Sequence, residues 1–196
     1  MKNIAVLVSG GGTNLQALID GQHNGIINSG KINLVISNNP DAFALERAKK
    51  ANINTAVCSK KELGSDFEDE LIKTLEENKT DIIVLAGFMC ILSEKFTTHF
   101  ANRIINVHPS LIPSFCGKGF YGLHVHEAAL EYGVKVTGAT VHFVNEIPDG
   151  GKIIMQKAVE ICDGDTPEIL QKRVMEEAEW KILPLALEKV CKELNI

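Results

Sequence analysis

Cysteine is sparse in this 196-residue chain, and its spacing is irregular. No two cysteines form a CxxC pair, since they stand at Cys58, Cys90, Cys116, Cys162 and Cys191. Structural zinc sites and disulfide frameworks both need closely or regularly spaced cysteines. The sequence therefore predicts neither, and we expect reduced thiols.

Positive charge is also scarce. The chain has 20 Lys and Arg against 25 Asp and Glu, which gives a formal net charge of -5 at pH 7. Proteins that bind nucleic acid through phosphate contacts need a basic face, and no cluster of Lys and Arg supplies one here. We expect no nucleic-acid partner.

Long hydrophobic runs are missing at the N-terminus. The apolar run Ile4–Val8 stops after five residues, at a series of glycines. The apolar core of a signal peptide needs about 7 to 15 residues, and a membrane-spanning helix needs about 20. We expect a cytoplasmic protein that does not associate with a membrane.

Strand-length apolar runs and helical segments alternate along the chain. This βαβ rhythm indicates an α/β fold with a Rossmann-like, mostly parallel twisted sheet and helices on both faces. The last strands follow each other closely, which favours a mixed or antiparallel portion there. The predicted strands cover 4–8, 32–36, 54–58, 81–86, 103–107, 138–144 and 152–159, and the clearest helices cover 14–20, 42–51 and 67–77.

The last part of the chain has a helical pattern that begins at Thr166. Thr166 can cap the helix, Pro167 suits its first position, and Glu168 places a negative charge in its first turn. We expect this helix to be kinked or divided at Pro184. No repeat or linker interrupts the sequence, so residues 1–196 are predicted to form a single domain.

The first chemical signal is the turn SGGGTN, Ser9 to Asn14, between a strand and a helix. Such a turn points backbone N–H groups at an anion, although glycine-rich turns also occur for packing alone. The chain has no GK[ST] motif, and Leu15 stands where the last glycine of a dinucleotide-binding G-x-G-x-x-G would be. A monophosphate therefore fits better than a pyrophosphate.

A second signal ends the predicted strand in RIINVHPSLIP. Asn106 and His108 alternate onto one face where the strand ends, and Pro109 and Pro113 stiffen the exit. An amide donor beside an imidazole suits a reaction that builds negative charge on a carbonyl oxygen, with a protonated histidine stabilising that charge. The alternative is that a histidine before proline is only a turn residue.

A third signal is the carboxylate in NEIPDGG. Asp149 lies on a turn with two glycines, which by itself is most typical of a plain hairpin. Beside the Asn106 and His108 pair, Asp149 could keep His108 protonated and accept a proton through water.

These motifs, in this order, resemble the glycinamide ribonucleotide formyltransferases of purine biosynthesis. The resemblance covers nearly the whole chain, because LAGFMCIL, GLHVHEAAL and RVMEEAEWKILP also occur in sequence. It implies direct transfer of a formyl group from 10-formyltetrahydrofolate to the amine of glycinamide ribonucleotide, with no metal. It also implies a monomer or weak homodimer that acts on small molecules.

The resemblance assigns roles by position. The implied catalytic residues are Asn106, His108 and Asp149. The ribonucleotide would be held by Gly11, Gly12, Thr13, Asn14 and Glu179.

The folate pocket is implied by two further segments and one strand residue. Its residues would be Met89, Cys90, Ile91, Leu92, Asn106, Asn145, Glu146, Ile147, Pro148 and Asp149. The resemblance also places His124 and His142 near the site, in supporting roles. Cys90 departs from the arginine that many members carry, which leaves main-chain contacts to bind the pterin.

Related activities are less compatible with this chain. We expect neither the C-terminal RNA-binding domain of methionyl-tRNA formyltransferases nor the N-terminal regulatory domain of formyltetrahydrofolate hydrolases, because the chain is short and acidic and its first strand starts at residue 4. A non-catalytic nucleotide-binding module, with Asn106 and His108 serving only structure, is the alternative from a different class.

Overall fold

A seven-stranded β-sheet organises residues 1–194, the part of the chain that the computed structural model describes. The order across the sheet is β3-β2-β1-β4-β5-β6-β7. Strands β1 to β5 pair in parallel, whereas β6 and β7 pair antiparallel. The mostly parallel α/β sheet with an antiparallel C-terminal portion is thus confirmed. The strands are β1 (Lys2–Val8), β2 (Gly30–Ser37), β3 (Asn54–Val57), β4 (Ile82–Leu85), β5 (Ile104–His108), β6 (Val136–Phe143) and β7 (Ile153–Glu160).

Helices pack on both faces of this sheet. Along β1, Ile4, Val6 and Val8 belong to one buried cluster, while Ala5 and Leu7 belong to the other. This alternation is what a parallel strand buried on both sides requires. The helices are α1 (Thr13–His23), α2 (Phe43–Lys50), α3 (Lys60–Leu63), α4 (Phe67–Glu77), α5 (Glu94–His99), α6 (Leu123–Tyr132), α7 (Pro167–Val174) and α8 (Trp180–Glu193). None of the helices in the described part has both the length and the apolar character that a membrane crossing requires.

The chain leaves β1 toward β2 on one side and later returns to β4 on the other side. The order of strands therefore reverses between β1 and β4. In open α/β sheets, ligands bind in the crevice at the carboxyl ends of the strands where this reversal occurs. The turns that follow β1, β4 and β5 all lie at this edge.

The C-terminal helical region is divided, but not at Pro184. Helix α7 begins as predicted, because the Thr166 hydroxyl accepts the N–H of Ile169 at 3.4 Å. A π-helical turn at Met175–Glu179 separates α7 from α8, and Pro184 lies inside α8. The predicted division at Pro184 was therefore wrong: the helix is divided earlier, at the π turn, and α8 continues through the proline.

A buried carboxylate ties α8 to the connection between α1 and β2. Glu188 accepts the N–H groups of Asn28 and Ser29, both at 2.9 Å, and the Ser29 hydroxyl at 2.8 Å. Nζ of Lys192 lies 3.1 Å from Oε1 of Glu188. Burial alone would raise the pKa of Glu188, but these hydrogen bonds lower it to about 2. The ionised side chain therefore stabilises the folded state.

We predict that Glu188→Gln lowers the free energy of unfolding at pH 7 by about 1 to 3 kcal/mol, because hydrogen bonds to a charged acceptor are replaced by weaker ones. A folded-state pKa below the unfolded value gives stability that is present above pH 4.5 and is lost as pH falls toward 2. The difference between wild type and variant, measured by urea unfolding, should therefore shrink from pH 5 to pH 3. Glu193→Gln, at an exposed position on the same helix, is the control; equal loss in both variants would contradict the role of Glu188.

Candidate active site

A cleft of about 840 Å³ opens at the carboxyl ends of the parallel strands. Its walls come from the segment after β4, the end of β5, the loop between β6 and β7, and the loop between β5 and α6. Asn106, His108 and Asp149 all line this cleft. The structure therefore brings together the three side chains that the sequence proposed as one group.

The orientation of Asn106 is set by His142 on the neighbouring strand. These two residues are register partners across β5 and β6. The carbonyl oxygen of Phe143 lies 2.8 Å from Nδ1 of His142, and a carbonyl can only accept, so Nδ1 carries a proton. Nε2 can then accept the N–H of Asn106 Nδ2 at 3.3 Å. The second N–H of this amide remains available to a ligand.

His108 is the last residue of β5 and is only 4% exposed. Its Nε2 donates to the carbonyl oxygen of Phe115 at 2.9 Å, and its Nδ1 lies 3.5 Å from Oδ2 of Asp149. Burial lowers the pKa of His108, although the Phe115 carbonyl and Asp149 both act to raise it. Burial thus acts against the expectation that Asp149 keeps His108 protonated, and it outweighs the carboxylate in setting the direction of the shift.

Asp149 is held by contacts from three segments of the chain. Its Oδ2 accepts the N–H of Gly117 at 2.8 Å, and its Oδ1 lies 3.6 Å from Nε2 of His142. Burial alone would raise its pKa, but the contacts with the His142 and His108 imidazoles and with the Gly117 N–H together hold the pKa of Asp149 below its usual range. The carboxylate therefore stays ionised in the cleft.

Backbone conformation explains why the Asp149 turn has this sequence. Asp149 has a φ of 57°, a left-handed conformation that Asp tolerates better than most residues. A Cβ at Gly151 would lie 1.7 Å from the carbonyl oxygen of Phe143, so only glycine allows this approach. The two residues bring the turn back against the end of β6, where His142 lies.

The glycine turn after β1 is shaped by α2. Gly12 has a φ of 72°, and a Cβ there would lie 2.6 Å from the Cβ of Ala44. The N–H of Ala44 donates to the carbonyl of Gly10 at 3.0 Å, and Nε of Arg47 donates to the carbonyl of Gly11 at 2.8 Å. These contacts hold the turn that starts α1.

Only part of the predicted ribonucleotide group reaches the cleft. Asn14 and Glu179 line it, whereas Thr13 is exposed and lines a smaller pocket with Arg47 and Trp180. Gly11 and Gly12 lie at the start of α1 and are not part of the cleft wall. Nδ2 of Asn14 donates to Oε2 of Glu179 at 2.7 Å, which joins the glycine turn to the π turn. Burial raises the pKa of Glu179.

The predicted folate residues all line the cleft. Met89, Ile91 and Ile147 are exposed there at 59%, 75% and 58%, which leaves apolar surface open to a ligand. The N–H of Met89 donates to the Ser9 hydroxyl at 2.7 Å and connects this wall to the glycine turn. The other predicted residues that line it are Cys90, Leu92, Asn145, Glu146, Pro148 and Asp149.

One predicted histidine lies beside the cleft wall without lining it, and another was missed. His124 is exposed, pairs with Glu127 at 2.8 Å and packs against Tyr121 of the cleft wall, with 5.3 Å between the ring centroids. His126 lines the cleft instead and is 1% exposed. Two residues along a helix turn by about 200°, so neighbouring histidines in HVH cannot share a face. Recognising α6 in the sequence would have separated them.

Comparison with known proteins now identifies the family. The formyl transferase family profile matches residues 2–187. The chain belongs to the formyl transferase family. This confirms the resemblance that the ordered motifs indicated. Among residues 1–194 no group of three or more His, Cys, Asp or Glu side chains is arranged to hold a metal ion.

Curated and solved members of the formyl transferase family align with this chain over almost its full length. Phosphoribosylglycinamide formyltransferase of Haemophilus influenzae is 46% identical over 189 residues, covering 95% of this chain and 86% of that protein. The Escherichia coli enzyme of the same name is 42% identical, covering 94% and 85%. The crystal structure of glycinamide ribonucleotide transformylase 1 from Symbiobacterium toebii superimposes with a TM-score of 0.91 at 42% identity, covering 98% of this chain and 89% of that one.

We predict that Asp149→Asn lowers the pKa of His108 further, because the variant removes a charge that favours the protonated ring while burial is kept. In wild type this pKa should lie below 6.5. The measurement is an NMR titration of protein labelled with ¹³C-histidine. Glu146→Gln, which neutralises an exposed carboxylate of the same loop, should leave the titration nearly unchanged. A rise in the His108 pKa in Asp149→Asn would contradict the assignment.

Proposed function

We propose that this chain transfers the formyl group of 10-formyltetrahydrofolate to the amine of glycinamide ribonucleotide, giving formylglycinamide ribonucleotide and tetrahydrofolate in de novo purine biosynthesis. The observation that carries the proposal is the meeting of Asn106, His108 and Asp149 on one wall of a cleft. The volume of that cleft, about 840 Å³, lies within the range of small-molecule binding sites. The names of the relatives support the same activity.

In the proposed reaction the amine nitrogen of the ribonucleotide attacks the formyl carbon. A C–N bond forms, and the electron pair of the carbonyl moves to oxygen, which becomes an oxyanion. The second N–H of Asn106 Nδ2 donates to this oxygen, because the first is held by His142. A fixed amide needs no reorganisation as the charge develops.

The proton released by the amine is taken up within the cleft. Nδ1 of His108 faces the Asp149 carboxylate at 3.5 Å, so protonation of this nitrogen creates an ion pair where there was none. The proton reaches this position directly or through Asp149 and a water molecule. The imidazolium then stabilises the oxyanion and returns the proton to the folate nitrogen when the bond from formyl carbon to folate nitrogen breaks.

Asp149 therefore acts on the reaction through His108 as well as through water. Burial disfavours the charged form of the His108 ring, so the resting imidazole is neutral. The nearby carboxylate favours the charged form, so the ring can accept a proton during the reaction. A general base of this kind is available at neutral pH without being permanently protonated. This differs from the sequence-based expectation, in which His108 carried its charge from the start.

The two substrates are assigned to opposite ends of the cleft. We assign the phosphate of the ribonucleotide to the N–H groups that begin α1, next to the cleft, and the ribose to Asn14 and Glu179, which line it. The folate is placed along Met89, Ile91 and Ile147, whose apolar surface is exposed. The formyl carbon and the amine then meet between them, next to Asn106.

We predict that purified protein forms formylglycinamide ribonucleotide from the two substrates, and that Asn106→Ala and His108→Ala each lower turnover about a hundredfold to a thousandfold, since one oxyanion donor contributes about 3 kcal/mol. Thermal unfolding should show that both variants are folded. His99→Ala, on the exposed surface, is the control and should keep the wild-type rate.

The same assay separates the alternatives. Release of formate without transfer would indicate a hydrolase, and binding of substrates without turnover would indicate a non-catalytic module. Rates like that of wild type in Asn106→Ala or His108→Ala would contradict the assigned roles while leaving the overall activity standing.

A further inference from the structure

His126 is a buried polar side chain in the cleft that the proposed reaction does not use. It lies in the first turns of α6, it is 1% exposed, and it contributes to the cleft wall. Neither of its ring nitrogens, Nδ1 or Nε2, has a hydrogen-bond partner among residues 1–194. A buried ring with both nitrogens unpaired needs an explanation.

An imidazole always carries a proton on at least one nitrogen. His126 therefore places at least one donor in the protein without an acceptor, which is unfavourable for folding. A leucine would fill similar space without this penalty. An unpaired polar group in the wall of a binding cleft can gain a partner when a ligand occupies that cleft.

The charge state of His126 restricts what that partner is. Burial lowers the pKa of His126 to about 4, and protonation of His108 would act in the same direction. The ring is therefore uncharged at neutral pH and offers one donor and one acceptor. Such a ring suits a neutral group that also has both a donor and an acceptor, whereas a phosphate or carboxylate would favour a charged partner.

We propose that His126 is a substrate-binding residue that hydrogen-bonds the amide group of the glycinamide portion of the acceptor. This inference rests on the proposed function, which supplies the acceptor. An amide has a carbonyl acceptor and an N–H donor, so it can pair with a neutral imidazole whichever ring nitrogen faces it; the two nitrogens point apart, and one contact is expected. One carbon separates this amide from the attacking amine, so the contact would aim the amine at the formyl carbon.

Position favours this group over the other neutral groups of the two substrates. His126 lines the same cleft as Asn106 and His108, where the reacting groups are assigned. The ribose is assigned to Asn14 and Glu179, which are joined by a hydrogen bond, and so it is not the group assigned to His126. The folate is assigned to the wall formed by residues 89–92 and 145–149. The glycinamide amide is the neutral group that must lie beside the reacting amine.

The test compares His126→Leu with wild type in steady-state formyl transfer and in thermal unfolding. We expect kcat/KM for the acceptor to fall about tenfold to hundredfold, which is the effect of losing hydrogen bonds to a buried polar group. The KM for the formyl donor should not change. The melting temperature should stay the same or rise, because the variant removes unpaired polar atoms. His23→Leu, the same change at an exposed position, should leave all of these values unchanged.

A side chain that served packing alone would not lower kcat/KM for the acceptor while leaving the melting temperature the same or higher. Wild-type kinetics in His126→Leu would overturn the proposal and make His126 an ordinary core residue. A lower melting temperature with equal losses for both substrates would overturn it as well. If wild-type protein itself fails to transfer the formyl group to the acceptor, the proposed function fails rather than this inference.

A second measurement avoids dependence on how the leucine variant folds. In wild-type protein labelled with ¹³C-histidine, addition of glycinamide ribonucleotide alone should shift the His126 signal, which His126→Asn identifies by its loss. Addition of a folate analogue without a formyl group should shift it much less. No shift with the acceptor, or an equal shift with the folate analogue, would overturn the proposal.

Discussion

The Asp149 carboxylate is the contact on which the candidate site depends. It accepts the Gly117 N–H and lies beside His108 and His142, so one side chain joins the loop after β5, the end of β5 and the end of β6. A lone buried carboxylate would be strongly unfavourable, and these neighbours offset that penalty. The same neighbours that keep Asp149 ionised also make the ring of His108 responsive to charge in the cleft. Structure and proposed chemistry thus share one electrostatic arrangement.

Strand pairing in the sheet brings these groups together although they lie far apart in the sequence. Because β5 pairs with β4 in parallel and with β6 antiparallel, the carboxyl end of β5 meets the segment after β4 on one side and His142 on the other. Asn106 therefore has a fixed partner on β6. The glycine turn after β1 is joined to the same edge through Ser9 and Met89, and through Asn14 and Glu179. Residues from both ends of the chain meet in this way at one crevice.

Much of this arrangement could be predicted from local sequence, and the remainder depends on packing. Alternation along β5 is a local property, so Asn106 and His108 were recognised as a pair, and the Thr166 cap of α7 was recognised for the same reason. The break at Met175–Glu179 was not, because a π turn has no clear residue signature and Pro184 gave a stronger local signal. The pKa of His108 depends on how far burial outweighs Asp149, which only the folded structure reveals. His126 was missed because helix α6, which separates it from His124, had not been recognised.

The most direct test of the account is a crystal structure with glycinamide ribonucleotide and a stable analogue of the formyl donor bound together. The account predicts both ligands in the cleft, with the analogue's carbonyl oxygen within hydrogen-bond distance of Asn106 Nδ2 and the acceptor amine facing the carbonyl carbon. Asp149 should remain beside His108. A complex in which the carbonyl group lies against another wall, with Asn106 and His108 contacting neither ligand, would contradict it.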